Sequence, residues 1–455
     1  MANTDTIPKL FGTDGVRGVA GRYPLDPPTV RRLGAALVRA LASHESGLPN
    51  SVRFLVGRDT RESGGWIEAE LAHGASGEGA SVTSAGVVPT PAIAYLTRTH
   101  GYDAGVVISA SHNPYADNGI KVFSGKGEKF TERVEREVEA IVADTSWATR
   151  DGEPPHVPHE DLVGAYLDHL RQIVDGVPSF DGFKLAIDCA NGATTTVAPG
   201  LFSNLGFAVD VIGDQPDGRN INLNCGSTHP ERLAKHVVDG GFRMGVAFDG
   251  DGDRAIFVDE RGALVDGDAV LFMSARQLQG ERRLRGNAIV ATVMSNIGLE
   301  LALKPIGIDL VRCPVGDKYV MEEMLARGLS LGGEQSGHVI FSDYLFTGDG
   351  LCTALNVVRT VVLTGRTLSG LASDLQRYPQ VLLNVHVRER VDIQSVPAVA
   401  AAIARVQASL AGQGRLLVRY SGTEPLLRVM LEGKDQNEIR AWAQDIVDVV
   451  KEHLG

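Results

Sequence analysis

Short runs of aliphatic and β-branched residues recur along the chain, and each gives way to a longer amphipathic stretch. Val52–Gly57 precedes a helix-like span from Ser63, and apolar runs end in polar or glycine loops at Phe54-Leu-Val-Gly-Arg-Asp59, Leu185-Ala-Ile-Asp-Cys-Ala-Asn-Gly192 and Ile289-Val-Ala-Thr-Val-Met-Ser-Asn296. Strand-length runs alternating with helix-length periodic spans predict βαβ units and mostly parallel sheets. About 40 to 60 residues after each run comes a second, ending in a more unusual loop: Val106-Val-Ile-Ser-Ala-Ser-His-Asn-Pro114, Val246-Ala-Phe-Asp-Gly-Asp-Gly-Asp-Arg254 and Leu331-Gly-Gly-Glu-Gln-Ser-Gly-His338. Three similar α/β units follow from this repetition. Ligands of open α/β sheets bind beyond the carboxyl ends of strands, so the three loops are expected to converge on one cleft.

The pattern changes near the end. An apolar run at Val381–Val387, an Ala/Val-rich helix from about Val396 and a polar loop at Arg419–Arg428 read as a smaller α+β module. Boundaries are expected near the Pro/His stretch Glu153–His159, after Asp259 and around Leu371, which gives domains 1–155, 156–259, 260–370 and 371–455. At roughly 150 residues per domain, a length of 455 supports a chain of this kind, with a core in each part.

Composition adds two constraints. Fifty-three glycines in 455 residues, about 12 %, exceed the usual ~7 % and point to loops where backbone bends sharply or approaches a ligand. The 44 basic and 56 acidic residues leave a net charge of −12, which disfavours nucleic acid and anionic membrane as partners and requires a local basic cluster for any anionic substrate. Cys189, Cys225, Cys313 and Cys352 are scattered without a CxxC pair, as expected of reduced thiols. The N-terminus lacks the layout of a signal peptide, and no run approaches 18 apolar residues, so a cytoplasmic protein is expected.

Asp249-Gly-Asp-Gly-Asp-Arg254 carries the strongest chemistry. Alternate carboxylates in a glycine-relaxed turn repel one another unless they converge on a hard cation. Asp249, Asp251, Asp253 and Glu260 match EF-hand positions 1, 3, 5 and 12, but Arg254 stands where that loop needs glycine, and a strand precedes it. Three carboxylates with few other oxygen ligands suit Mg²⁺ that also bonds a phosphate. Ser109-Ala-Ser-His-Asn-Pro114 ends a buried strand in small hydroxyl residues, so Ser111 is a candidate nucleophile; a turn through Asn118-Gly119 is expected to return Lys121 toward it. Gly332–His338 combines carboxylate, amide, hydroxyl and imidazole, a set suited to the hydroxyl or amine groups of a sugar. Arg419-Tyr-Ser-Gly-Thr-Glu-Pro-Leu-Leu-Arg428 offers two guanidinium groups, two hydroxyls and free backbone N–H groups to one phosphate. Phe11–Gly18, with Arg17, and Gly57–Arg61 add further glycine and arginine without matching a nucleotide fingerprint.

In this order, over nearly the whole chain, these segments resemble the α-D-phosphohexomutase superfamily. Gln335 in the sugar loop, Val293–Leu299 and Val315–Val320 resemble its bacterial glucosamine-phosphate branch; Lys318, where that branch often has Arg, and Tyr420, before the Ser-Gly-Thr run, depart from it. The resemblance implies three similar α/β domains with mixed, mostly parallel sheets and a smaller C-terminal α+β domain around a central cleft. It implies an intramolecular phosphotransferase that interconverts glucosamine 6- and 1-phosphate, feeding UDP-N-acetylglucosamine synthesis, with a phosphomannomutase/phosphoglucomutase as the alternative. By the same resemblance Ser111 is the phosphoserine, and Asp249, Asp251 and Asp253 hold Mg²⁺ together with the phosphoserine oxygen. Glu334 and Ser336 contact the sugar; Arg419, Ser421, Gly422, Thr423 and Arg428 hold the non-reacting phosphate; Arg17, Lys121 and His338 transfer protons or stabilise charge. A hexosamine or hexose 1,6-bisphosphate is implied as primer and intermediate, a hinge near residue 371 as the means of closure, and a monomer or homodimer as the assembly.

Overall fold

The computed structural model describes residues 9–44, 52–420 and 426–455. The chain divides into two compact units, residues 1–294 with 310–373, and residues 295–309 with 374–455.

The larger unit carries the repeated α/β pattern. Its first sheet runs in the order Phe11–Gly12, Gly15–Val19, Asp117–Ser124, Ala104–Ile108, Arg53–Arg58, Ser81–Val87. Arg53–Arg58 pairs in parallel with both Ser81–Val87 and Ala104–Ile108, and the remaining pairs are antiparallel. Ala104-Gly-Val-Val-Ile108 is buried at every position, as its unbroken apolar run requires of a strand covered on both faces. Phe54, Val56, Val106 and Ile108 pack with Val30, Leu33, Leu37, Ile67 and Leu71 from two helices, Pro27–His44 and Gly64–Gly77. Those helices touch backbone to backbone at two glycines. A β-carbon on Gly34 would lie 2.1 Å from the Leu71 carbonyl oxygen, and one on Gly74 would lie 1.8 Å from that of Arg31. Gly74→Ala is therefore expected to force the helices apart and to destabilise the protein by about 3 kcal/mol, read as a lowered midpoint in urea.

The second sheet runs Leu264–Val265, Ala255–Asp259, Met244–Phe248, Lys184–Asp188, Ala208–Ile212, parallel about Lys184–Asp188 and antiparallel beyond Met244–Phe248. The third has the order Asp309–Cys313, Ala288–Thr292, Leu331–Gly333, Val339–Phe341. Each of these three sheets is mixed: it contains parallel pairs, and an antiparallel return runs beside the strand that ends in the chemistry-bearing loop.

The smaller unit is an antiparallel sheet, Gln380–His386, Leu426–Glu432 and Arg415–Tyr420, packed against helices Pro397–Leu410 and Gln436–Leu454. Val399, Ala402 and Val406 on one helix, and Ile439, Ala443, Ile446 and Val450 on the other, are buried at helical spacing. Residues 295–309, which lie within the third α/β repeat in sequence, fold with this unit. Fully buried Glu432 explains the attachment: it accepts from Asn296 Nδ2 (3.2 Å), the Ile297 amide (3.2 Å), Gln380 Nε2 (2.9 Å) and Arg415 Nε (2.8 Å). The four cysteines are buried and unlinked. Among the described residues, no helix is long and apolar enough to cross a membrane.

Candidate functional site

Ser111 follows the buried strand Ala104–Ile108 and holds φ at 52°, a left-handed conformation that a non-glycine residue keeps only where its surroundings enforce it. The enforcement is visible. Arg61, fully buried, donates to the carbonyl oxygens of Ser111 (3.2 Å) and Asn113 (2.6 Å), and Asn222 Nδ2 donates to the same two at 2.9 and 3.2 Å. The Ser111 amide donates to Ser109 Oγ (2.9 Å), which donates to Asp59 Oδ2 (2.5 Å), and Asp59 is paired with Arg61. Burial raises the Asp59 carboxyl above its usual range despite that pairing.

Ser111 Oγ donates to Asp249 Oδ2 at 2.5 Å. Asp249 begins the loop between two fully buried strands, Met244–Phe248 and Ala255–Asp259, which removes the helix–loop–helix that an EF-hand needs. One oxygen each of Asp249, Asp251 and Asp253 lies within 4.8 Å of the others. Gly250 permits the approach to the serine loop, since a β-carbon there would fall 2.6 Å from the Ser111 carbonyl oxygen. Burial, then Asp253 and Asp251, push the Asp249 carboxyl well above its ordinary range. Burial would also raise Asp253, but Lys121 and His338 hold it down, to about 2. Asp251 Oδ1 and Asp253 Oδ1 are buried without a hydrogen-bond partner. Crowded carboxylates with orphaned inward oxygens fit a hard divalent cation.

Lys121 reaches these aspartates by a different route from the expected one. Asn118 and Gly119 lie inside the strand Asp117–Ser124, opposite Gly18 and Arg17, and the chain reverses earlier, over residues 111–116. Asn118 is held there by Ser63, whose Oγ accepts from Asn118 Nδ2 at 2.8 Å. Register places Lys121 opposite Val107, and its ammonium lies 2.8 Å from Asp251 Oδ2, 3.0 Å from Asp253 Oδ2 and 3.0 Å from Asp14 Oδ2. Asp14 also pairs with Arg17 and Lys129; burial opposes ionisation of its carboxyl, but these cations keep it well below the ordinary value.

A cavity of about 450 Å³ opens in front of this cluster, lined by Arg17, Asp253, Glu334 and His338 among others. Ser111 and Lys121 lie just behind its wall, joined to it through His112 and Asp14. Glu334 accepts from the Gly316 amide (3.2 Å) and from Ser336 Oγ (3.4 Å), and Ser336 is exposed. His338 is buried, with Nε2 3.4 Å from Asp317 Oδ2. The structure adds residues that sequence reasoning did not single out. His112 Nδ1 sits 3.2 Å from Ser111 Oγ and 3.0 Å from an Arg254 nitrogen; burial, then Arg254 and Arg17, lower its pKa to about 4, so the ring is neutral near pH 7. Adjacency to Ser111 and Asp253 is the signal that could have found His112 and Arg254.

Behind the aspartate loop, Asp349 caps the helix Gly350–Thr364, accepting from the Cys352 amide and Tyr166 Oη at 2.9 Å each. Burial raises its carboxyl from 3.8 to about 6. An acid with a raised native pKa weakens the fold as pH rises, because between these values the native state keeps a proton that the unfolded chain has released. Relative to Asp349→Asn, the wild type is expected to lose up to about 3 kcal/mol between pH 4 and pH 7, measured by denaturant titration of both proteins.

In the smaller unit, Arg419 and Arg428 stand directly opposite on neighbouring strands, a like-charged pairing that favours a bound anion. Ser421, Gly422 and Thr423 lie outside the described residues.

Comparison with known proteins meets this geometry domain by domain. Residues 8–149, 164–262 and 266–378 match the phosphoglucomutase/phosphomannomutase α/β/α domains I, II and III, and residues 382–449 match the C-terminal domain of the same proteins. Fold and site thus define a phosphohexomutase, an enzyme of the isomerase class. A phosphoglucosamine mutase of Solibacter usitatus is 49 % identical over 98 % of this chain and 99 % of its own, and one of Pseudomonas putida is 48 % identical with the same coverage. A phosphoglucomutase/phosphomannomutase family protein from Burkholderia thailandensis shares the fold with a TM-score of 0.80 at 24 % identity, over 99 % of this chain and 98 % of that one. The chain belongs to the α-D-phosphohexomutase superfamily and, within it, to the phosphoglucosamine mutase family.

Proposed function

We propose that the protein interconverts glucosamine 6-phosphate and glucosamine 1-phosphate by two phosphoryl transfers through Ser111. The observation that carries this reading is the 2.5 Å contact between Ser111 Oγ and Asp249, beside Asp251 and Asp253, at the back of the cavity. In the first transfer the phosphoserine O–P bond breaks, an O–P bond forms to the oxygen of the sugar's free hydroxyl, and the proton that hydroxyl loses is balanced by one gained at Ser111 Oγ, which is left as a serine hydroxyl. The bisphosphorylated sugar then reorients, and its other phosphate returns to Ser111 with the reverse proton movement. Such a sugar bisphosphate also serves as primer.

Asp249, Asp251, Asp253 and the phosphoserine oxygen would hold Mg²⁺, which supplies neutralising charge to the transferring group. Lys121 and Arg17 contribute fixed positive charge beside the aspartates and Asp14, so rate enhancement rests mainly on positioning and electrostatics. Arg17, Lys121 and His338 are the groups that exchange the hydroxyl proton or stabilise charge. Glu334 and Ser336 orient the sugar, and Arg419 and Arg428, with Ser421, Gly422 and Thr423, hold the phosphate that is not reacting.

The names of the relatives at 49 % and 48 % identity favour glucosamine over glucose or mannose. Initial rates on the 1-phosphates of glucosamine, glucose and mannose test the preference. Glucosamine 1-phosphate is expected to be turned over at least about tenfold faster in kcat/KM than the others, a margin that one amine-specific contact set supplies. Equal or faster turnover of glucose or mannose phosphate would make the protein a phosphomannomutase/phosphoglucomutase.

A further inference from the structure

Lys129 stands in the stretch Gly125-Lys-Gly-Glu-Lys129, which reads as a solvated turn. The structure buries it. Its side chain is 10 % exposed, and its ammonium pairs with both Asp14 and Asp317. Withdrawing an ammonium from water costs several kcal/mol unless opposite charge meets it, and the two carboxylates provide that partnership from different parts of the fold. Asp14 lies in the loop between Phe11–Gly12 and Gly15–Val19, and Asp317 opens the helix Asp317–Arg327 of the third α/β repeat.

Each partner holds a group that the proposed reaction uses. Asp14 pairs with Arg17 and approaches Lys121 at 3.0 Å; Asp317 Oδ2 lies 3.4 Å from His338 Nε2. Charges of alternating sign therefore run from Asp253 through Lys121, Asp14 and Lys129 to Asp317, which lies against the His338 ring. Lys129 is the link between two walls of the cavity, and it is not among the residues lining that cavity. Neighbouring Lys318 cannot replace it, because its ammonium is engaged 2.6 Å from Glu135.

We propose that Lys129 is a positioning residue for phosphoryl exchange: by holding Asp14 and Asp317 together it fixes Arg17 on one wall and His338 on the other. This rests on the mutase reading of the site. Without the ammonium, Asp14 and Asp317 face each other with one cation fewer, and their repulsion displaces the two groups they orient. Glu334 and Ser336, which orient the sugar, bond to the Gly316 amide and to each other rather than to Lys129, so binding is affected less than turnover.

The test compares Lys129→Met, Lys129→Arg and Asp317→Asn with the wild type on glucosamine 1-phosphate at saturating Mg²⁺. Lys129→Met is expected to lower kcat at least about tenfold with KM within about threefold, Lys129→Arg to regain most of that loss, and Asp317→Asn to lower kcat by a similar factor. Combining Lys129→Met with Asp317→Asn is expected to cost little more than either alone, since both break the same link. Lys129→Met keeping kcat within twofold of wild type overturns the proposal, as do losses that multiply in the double variant. If Lys129→Met does not fold, Asp317→Asn decides alone: an unchanged kcat overturns the role. Wild-type turnover in the same assay separates the two claims, because its absence defeats the mutase reading, whereas wild-type turnover matched by Lys129→Met defeats only the role of Lys129.

Discussion

Replacing Ser111 by alanine is expected to lower kcat for glucosamine-phosphate exchange by at least about 10³-fold. The methyl group cannot carry a phosphoryl group, and among the described residues Ser111 supplies the hydroxyl that bonds Asp249, at 2.5 Å. The fold is expected to survive. Arg61, Asn222 and Ser109 hold the loop through backbone atoms of residues 111 and 113, which alanine retains. Alanine bears the same left-handed strain as serine, so the melting temperature is expected to stay within a few degrees of wild type. Loss of activity with an unchanged melting temperature assigns Ser111 to chemistry; retained activity removes it from the reaction.

Asp251→Asn carries the second large effect. Asp251 Oδ2 accepts from Lys121 at 2.8 Å and from Thr90 Oγ1 at 2.6 Å, while its Oδ1 is buried without a partner. Asparagine preserves shape and removes one of the three charges that make the loop attractive to a divalent cation. The Mg²⁺ concentration for half-maximal rate is expected to rise at least about tenfold and kcat to fall about 10²–10³-fold, as when a preorganised electrostatic contact is lost. An unchanged Mg²⁺ dependence would show that the triad does not hold the ion. Isothermal titration with Mg²⁺ alone reads the same loss without substrate.

Much of this site was legible in the sequence because its chemistry is concentrated in contiguous loops at the ends of apolar strands. Asp249-Gly-Asp-Gly-Asp253 shows by its spacing a carboxylate cluster able to hold a cation, and Ser111 stands in the small hydroxyl stretch Ser109-Ala-Ser111 directly after the buried run that ends at Ile108. What escaped was chemistry assembled over distance. Lys129 meets Asp14 across 115 positions and Asp317 across 188, and nothing local distinguishes it from a solvated lysine. Arg61 is similar: its neighbours advertise a polar loop, whereas its role depends on carbonyl groups 50 and 52 positions away. The Asn118-Gly119 pair misled for a physical reason. Asn-Gly favours tight turns, but here strand pairing with Arg17 and Gly18, together with the Ser63 contact, outweighs the local preference. The apolar run Ile289–Asn296 marks a strand and its loop, but that the chain passes into the C-terminal unit from Ser295 depends on Glu432, 136 positions beyond Asn296.

The mutase reading requires Ser111 to carry the phosphoryl group between the two positions of the sugar. Its most direct measurement is phosphopeptide mapping of the wild type after incubation with Mg²⁺ and glucosamine 1,6-bisphosphate, before and after a chase of glucosamine 6-phosphate. One phosphopeptide is expected, spanning Ser111, whose phosphate passes to the sugar during the chase. Full mutase turnover with Ser111 unphosphorylated throughout, or a phosphate on Ser111 that the chase does not remove, would contradict it.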